Sequence, residues 1–267
     1  MKDPNLDYFA EFGLRYPVMP NDEGYVTSGD CRIHFSAFGE GRPVLLLHGG
    51  MGNGTNWANQ IEALMESGHQ VVVMDTRAHG RSTNGSRPLS YRLFAQDVGS
   101  LIAHLRLREV TLVGWSDGAC TALEFARTES SLVAGVVFFA CNVNPSGTLE
   151  FRMTDAIRNC LTRHRLDFMR MSPTLERFED LQPKLDPMQK YEPNYSLEDL
   201  RRISVPVAVI QGDRDEFIKL DHAKYLAASL KDSRFELLEG LSHFAPIQDP
   251  ARFNETMLRC IKSWRMR

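Results

Sequence analysis

The sequence alternates short apolar runs with longer amphipathic segments, and this alternation constrains the fold more than any other feature. Continuously apolar runs are typical of strands in a parallel sheet that is covered on both faces. Five segments have this pattern: Val44–Leu47, Val71–Met74, Val110–Val113, Val133–Phe139 and Val205–Ile210. Two more segments are strand candidates, namely Cys31–Phe38, which alternates with period two, and the weaker Arg234–Leu238.

Helix-length amphipathic stretches separate these runs. They are Trp57–Glu66, Tyr91–Leu105, Ala119–Arg127, His222–Leu230 and Ala251–Trp264. Strands and helices in alternation require right-handed crossovers, so the sequence predicts one α/β domain with a doubly wound, mostly parallel sheet. A chain of 267 residues is long enough to bury such a core without disulfides or a metal.

The segment from Asn142 to about Leu200 interrupts the alternation. Its helix-like pieces are Thr148–Asn159, Leu161–Met171, Thr174–Leu181 and Ser196–Arg202, and Pro173, Pro183, Pro187 and Pro193 divide them. A long insertion of this kind in an α/β domain is often a lid. We therefore expect a core formed by residues 1–141 and 204–267, with a helical lid at residues 142–203.

Charge and cysteine usage narrow the classes of partner. The net charge of −3 lacks the basic excess that a nucleic-acid partner favours. The first residues of the sequence include acids and a proline, where a signal peptide has an apolar segment. The longest apolar run, Leu132–Cys141, is too short to span a bilayer as a helix. Five cysteines without CxxC spacing predict reduced thiols and no metal site. We expect a cytoplasmic protein with a small-molecule substrate, no cofactor and no nucleic-acid or membrane partner; homo-oligomerisation stays open.

Residues 110–119 read as a strand, a G-x-S-x-G turn and the start of a helix. This context is that of a nucleophile elbow, in which the flanking glycines permit a sharp turn. Ser116 is then the candidate nucleophile, and the helix that follows supplies N–H groups and a favourable dipole for an oxyanion. The alternative is a glycine-rich turn in which the serine has no role.

A serine hydroxyl needs a base, and His243 is the strongest candidate. It follows the last predicted strand and precedes the C-terminal helix, so it lies in a loop at the edge of the sheet. The acid that orients the imidazole is expected after the penultimate strand. Asp213, Asp215, Glu216 and Asp221 all compete there, and a solvated acidic turn is the alternative.

A glycine-rich loop follows the strand that ends at Leu47. Glycines let a backbone N–H approach a reacting carbonyl oxygen. We expect the N–H groups of Gly50 and Asp117 to form an oxyanion hole, with Met51 as a third candidate donor. His48 is expected to have a structural role, and no phosphate-binding motif follows the loop.

Together these motifs resemble the α/β-hydrolase superfamily over about residues 24–267, apart from the insertion. The matching pieces are His48-Gly49-Gly50, Asp75–Ser82, Gly114–Gly118, Gly212-Asp-Arg-Asp215 and Gly240–His243. The resemblance implies an α/β-hydrolase fold with a helical lid inserted after the sixth strand. It also implies a triad of Ser116, Asp215 and His243, because the family's G-x-x-D pattern places the acid at Asp215.

Two narrower resemblances bear on the reaction. The Gly-Trp-Ser-Asp-Gly elbow resembles that of valacyclovirase-like esterases, and the His-Gly-Gly loop with Trp57 resembles meta-cleavage-product C–C hydrolases and proline-iminopeptidase-like enzymes. They imply a serine hydrolase of a small carboxylic ester, lactone or related acyl compound. The alternatives are a C–C bond hydrolase of a vinylogous β-diketone, and a ligand receptor or slow hydrolase of the same fold.

Residues near the motifs are candidates for substrate binding: Met51, Trp57, Trp115, Asp117, Phe217 and Phe244. The Asp117 side chain either attracts a substrate ammonium group, as the esterase resemblance implies, or caps the helix that begins there; we favour the cap or a mixed role. The insertion carries Arg152, Arg158, Arg163, Arg165 and Arg170 among several methionines. One hypothesis is a pocket arginine for an acidic substrate; the favoured one is a solvated basic helix whose methionines pack on the core.

Overall fold

The structure is a computed structural model that describes residues 3–174 and 176–264. An eight-stranded sheet forms the centre of the molecule, with strand order β1-β2-β4-β3-β5-β6-β7-β8. The strands are β1 (Asp22–Ser28), β2 (Cys31–Phe38), β3 (Arg42–Leu47), β4 (His69–Met74), β5 (Val110–Trp115), β6 (Val133–Phe139), β7 (Val207–Gly212) and β8 (Ser233–Leu238).

The sheet is parallel from β4 to β8 in this order, while β2 pairs antiparallel with β4 and β1 pairs antiparallel with β2. Successive residues of a central strand enter two different cores. Leu45 and Leu47 belong to one hydrophobic cluster, and Val44 and Leu46 belong to the other. Burial on both faces is the reason that the runs are continuously apolar, and it confirms the predicted doubly wound sheet.

Helices cover both faces of the sheet. Within the described residues they are α1 (Pro4–Phe12), α2 (Ala58–Glu66), α3 (Tyr91–His104), α4 (Asp117–Thr128), α5 (Asp155–Met171), α6 (Leu181–Tyr191), α7 (Leu197–Arg201), α8 (Leu220–Ser229), α9 (Ala245–Gln248) and α10 (Pro250–Trp264). In the described part of the chain, no helix is long and apolar enough to cross a membrane.

Three of the helices, α5 to α7, lie between β6 and β7, in the segment for which the sequence predicts an insertion. Its internal boundaries differ from the predicted ones. The separate pieces expected around residue 160 are one helix, α5, whose N-cap Thr154 accepts a hydrogen bond from the Ile157 N–H. Pro183 and Pro187 do not divide helices, because both lie inside α6. Residue 175, part of the predicted piece 174–181, lies outside the described residues.

Pro183 is the third residue of α6, where a helical N–H has no intrahelical partner and a proline is tolerated. Pro187 interrupts the backbone ladder, yet α6 still buries Leu185 and Met188 against the core. Apolar packing thus outweighs the loss of one backbone hydrogen bond here. Two longer elements, α1 and β1, and the four-residue helix α9 have no counterpart in the prediction.

Candidate active site

Ser116 lies on the sharp turn between β5 and α4, at a left-handed φ of 55°. Its N–H donates to the Phe139 carbonyl oxygen at 2.9 Å, which fixes the turn against β6. A Cβ at Gly114 would collide with the Gly118 carbonyl, and one at Gly118 would collide with the Leu47 carbonyl. The G-x-S-x-G spacing is therefore required by close backbone contacts on both sides of the serine.

The loops after β7 and β8 bring Asp215 and His243 together. The Nδ1 atom of His243 lies 3.0 Å from Asp215 Oδ2 and 3.1 Å from Oδ1. Oδ1 also accepts the N–H groups of Phe217 and Ile218, at 2.8 and 2.9 Å, so the carboxylate is held in a fixed orientation. This contact favours a proton on Nδ1 and leaves Nε2 as the basic nitrogen.

The electrostatic surroundings of His243 favour its protonated form. Burial alone lowers the pKa of this imidazole, but the charge and hydrogen bond of Asp215 outweigh it. Glu216 and Asp117 add to the effect, so the pKa of His243 lies above its ordinary value. The site is thus arranged to stabilise an imidazolium that forms when His243 takes a proton.

Ser116 and His243 line the same cavity. Among the described residues no hydrogen bond joins the serine hydroxyl to the imidazole; such contacts commonly tighten only when substrate binds. The structure therefore brings all three members of the predicted triad to one edge of the sheet, with the acid and base already paired.

Two buried histidines hold the glycine-rich loop after β3. The Thr76 N–H donates to His48 Nε2 at 3.0 Å, and His48 Nδ1 lies 2.8 Å from the Gly49 carbonyl. The Met51 N–H donates to His79 Nε2 at 3.1 Å. Burial lowers the pKa of His48, and that of His79 to about 3, so both rings are neutral and carry the proton on Nδ1.

This arrangement decides which N–H groups are available to an oxyanion. Within residues 3–174 and 176–264, no protein acceptor binds the N–H of Gly50 or of Asp117. The Met51 N–H is already bound to His79, so the expectation that it is a third donor is wrong. A Cβ at Gly50 would meet the Asp117 carboxylate, which accounts for the second glycine of the loop.

The Asp117 side chain faces the cavity and does not cap α4. Oδ1 accepts the Tyr91 hydroxyl at 2.7 Å, and Oδ2 accepts the Gln189 amide at 2.8 Å. The N-cap residue is Ser116, which makes no side-chain cap bond. The favoured interpretation, a cap or a mixed role, is therefore wrong in its capping part. Burial raises the pKa of Asp117, although both hydrogen bonds oppose this effect.

A cavity of about 550 Å³ lies over Ser116. The predicted residues Met51, Trp115, Asp117, Phe217 and Phe244 line it. The insertion completes the wall, with Ile157, Cys160 and His164 from α5 and Gln182, Asp186 and Gln189 from α6. Among the described lining residues there is no lysine or arginine, so the charged groups next to the triad are carboxylates.

Trp57 is the exception among the predicted binding residues. It is 0% exposed and its ring packs against Trp115 and Phe253, with centroids 5.9 and 6.0 Å apart. Trp57 therefore supports the cavity wall from behind, and the prediction that it touches substrate is wrong. A large aromatic residue beside a motif carries no sequence signal that separates these two positions.

The arginines of the insertion fit neither hypothesis completely. None of them is among the described residues that line the cavity, and Arg163 is buried in an ion pair with Asp167 at 2.6 Å. Met153 and Met169 are 47% and 70% exposed, so these methionines do not pack on the core. The basic face of α5 is solvated, as the favoured hypothesis expects.

Sequence reasoning missed Tyr91, Gln189 and His164. Tyr91 and Gln189 hold the Asp117 carboxylate, and His164 lines the cavity while its ring packs edge-on against Phe9 at 5.8 Å. Burial lowers the pKa of His164 to about 3, so its ring is neutral. These residues lie on helices without motifs, and only their position in the fold identifies them.

Comparisons with known proteins agree with this architecture. Residues 42–158 match the family model for the alpha/beta hydrolase fold. A non-heme haloperoxidase of Rhodococcus erythropolis is 26% identical, over 90% of this chain and 99% of the relative. The serine hydrolase BPHL of Mus musculus is 27% identical, over 86% of this chain and 82% of the relative.

Among solved structures, the enol-lactonase from Burkholderia xenovorans superimposes with a TM-score of 0.75. It is 18% identical, and the match covers 90% of this chain and 100% of that one. The resemblance expected from the motifs is therefore confirmed. The chain has the α/β-hydrolase fold, and residues 42–158 match the model of that family.

Proposed function

We propose that the protein is a serine hydrolase that cleaves a small carboxylic ester or lactone through an acyl-enzyme on Ser116. One observation carries the proposal: a serine at a left-handed elbow shares a cavity with a histidine whose Nδ1 lies 3.0 Å from a buried aspartate. The esterase, serine hydrolase and lactonase names among the similar proteins agree with it.

In the first half-reaction, His243 Nε2 takes the hydroxyl proton and Ser116 Oγ attacks the substrate carbonyl carbon. The N–H groups of Gly50 and Asp117 receive the oxyanion, because no other protein acceptor engages them in the described chain. Asp215 stabilises the imidazolium that forms. His243 then gives the proton to the leaving alkoxide, and the acyl-enzyme remains.

In the second half-reaction a water molecule attacks the acyl group. His243 takes a proton from this water, and the same two N–H groups hold the second oxyanion. Ser116 Oγ leaves with a proton from His243, which restores the resting enzyme. A lactone follows the same steps, except that the leaving hydroxyl stays attached to the acyl chain.

The charge of the cavity sets an expectation for the acyl substrate. Asp117 and Asp186 line the wall, and the described lining residues include no lysine or arginine. An anionic substrate would therefore meet carboxylates and no cation. A neutral substrate fits, and so does one with an ammonium group near Asp117, as the esterase resemblance implies.

A substrate panel with Ser116→Ala as control tests the proposal. It contains p-nitrophenyl esters of short and long acyl chains, neutral lactones, an ester with an acyl carboxylate and a ring-fission dienone. We expect turnover of short neutral esters or lactones, slower turnover of the carboxylate ester, and a loss of about 10⁴-fold or more in the variant. Ester turnover that Ser116→Ala leaves unchanged would contradict the mechanism.

The same panel separates the alternatives. Turnover of the dienone alone would indicate a C–C bond hydrolase. Binding of panel compounds with very slow turnover of all of them would indicate a receptor of this fold. In both cases Ser116→Ala shows whether the serine takes part.

A further inference from the structure

Two cysteines meet beneath the nucleophile. Cys120 is the fourth residue of α4, Cys141 follows β6, and their Sγ atoms lie 2.7 Å apart. The sulfur atoms are thus a small movement away from the bond length of a disulfide, about 2.05 Å. Both cysteines are reduced in the structure.

The backbone of Ser116 is bonded to Cys120 and to the end of β6, which leads to Cys141. The Cys120 N–H donates to the Ser116 carbonyl oxygen at 3.2 Å. On the other side, the Ser116 N–H donates to Phe139, two residues before Cys141, at 2.9 Å. A covalent bond between the two sulfur atoms would therefore shift the backbone contacts that hold Ser116 at its φ of 55°.

The two thiols differ in their access to small molecules. Cys141 lines the cavity, whereas Cys120 is 0% exposed and lies behind it. Burial raises the pKa of Cys120, so this sulfur stays a thiol and is poorly reactive toward an oxidant in solution. The geometry suits a pair in which Cys141 meets the oxidant first and Cys120 reacts with the product.

We propose that Cys120 and Cys141 form a redox pair, which a hydroperoxide converts into a disulfide that lowers turnover at Ser116. Cys141 Sγ attacks one peroxide oxygen and the O–O bond breaks. With hydrogen peroxide, the departing hydroxide takes the thiol proton and leaves as water, so Cys141 becomes a sulfenic acid.

Cys120 Sγ then attacks the Cys141 sulfur and the S–O bond breaks. The departing hydroxide takes the Cys120 proton and forms a second water. Two electrons have passed from the two thiols to the peroxide. A dithiol reductant reverses the change by thiol–disulfide exchange.

The test treats the full chain with hydrogen peroxide, alkylates it in denaturant and maps its peptides by mass. We expect one cross-linked peptide pair that contains residues 120 and 141. Of the five thiols, three remain free, and dithiothreitol restores the other two. Ester turnover should fall by about tenfold or more and recover on reduction, because small shifts of a nucleophile are costly.

Cys160 provides the matched control, since it lines the same cavity but has no sulfur partner among the described residues. Cys160→Ser should still form the cross-link, whereas Cys120→Ser should lose it and carry Cys141 to a sulfinic acid. The effect on turnover rests on the proposed function, but the mass measurement does not. Free or over-oxidised Cys141 without a cross-link, or a cross-link that leaves turnover unchanged, would overturn the proposal.

Discussion

At the residue scale, Glu216 shows how a neighbour can tune the proposed base without touching substrate. Its Oε2 atom accepts a hydrogen bond from the backbone N–H of His243 at 3.0 Å, and its charge helps to raise the pKa of the His243 imidazole. In Glu216→Gln the amide oxygen can still accept this hydrogen bond, but the charge is gone. The pKa of His243 should fall, so the neutral base persists to lower pH and the acid limb of kcat/KM moves in that direction.

The measurement is the pH dependence of kcat/KM for the best ester of the panel. Asp213→Asn is the matched control, because Asp213 lies on the same turn and accepts the Gly240 N–H of the same loop. This control should leave the acid limb in place. An acid limb that stays unchanged in Glu216→Gln, or moves to higher pH, would show that Glu216 does not tune the base.

The predicted site shows which residues sequence alone can identify. Motifs predict Ser116 and His243 as site residues, and the structure places both after the ends of strands of the parallel sheet. The choice of Asp215 among four acids needed the family pattern, and the structure pairs this acid with His243. The orientation of Asp117 was missed, because it depends on Tyr91 and Gln189, far away in sequence.

At the element scale, a side-chain hydrogen bond links α6 to the turn that carries Ser116. Gln189 donates to Asp117 Oδ2, which is buried against Gly50. Gln189→Ala removes this donor, and an unpaired buried carboxylate oxygen costs about 1–3 kcal/mol. We expect α6 to open more often, with amide protection in α6 reduced by about tenfold and an increased KM.

Hydrogen exchange with mass spectrometry measures this opening. Gln182→Ala is the control on the same helix: Gln182 donates to Gln189 and Asp186, and in the described part of the chain it makes no hydrogen bond to Asp117. Its effect on α6 should be several times smaller. Equal loss of protection in both variants would mean that packing, and not the Gln189 contact, holds the helix.

Physical reasons explain why sequence analysis does not predict β1 and α6. β1 is polar and pairs on one side only, so it lacks the apolar run of a buried strand. Gly29-Asp30 between β1 and β2 is a hairpin signal that could have revealed it. The sequence does not predict α6, because Pro183 and Pro187 suggest helix breaks. In the structure, burial of Leu185 and Met188 stabilises this helix.

At the scale of the whole molecule, α1 connects parts of the chain that are distant in sequence. Asn5 donates to the Gln248 carbonyl of α9 at 2.9 Å, and Asn159 of α5 donates to Asp7 at 3.1 Å. α1 therefore joins the insertion to the segment that follows His243. The sequence contains a signal for the start of α1, because Asp3 followed by Pro4 is typical of a helix N-cap. It contains no signal for the packing of α1 on α5.

Phe9 fixes α1 in this position, since its side chain is 0% exposed and packs against His164 of α5. Phe9→Ala should lower the free energy of unfolding by about 3–5 kcal/mol and expose the 13–21 segment to limited proteolysis. It should also raise KM, because α5 lines the cavity. Phe12→Ala is the matched control. Phe12 is 56% exposed on the same helix, so this substitution should change the free energy of unfolding by no more than about 0.5 kcal/mol. If Phe9→Ala resists proteolysis and unfolds like Phe12→Ala, α1 does not support the insertion.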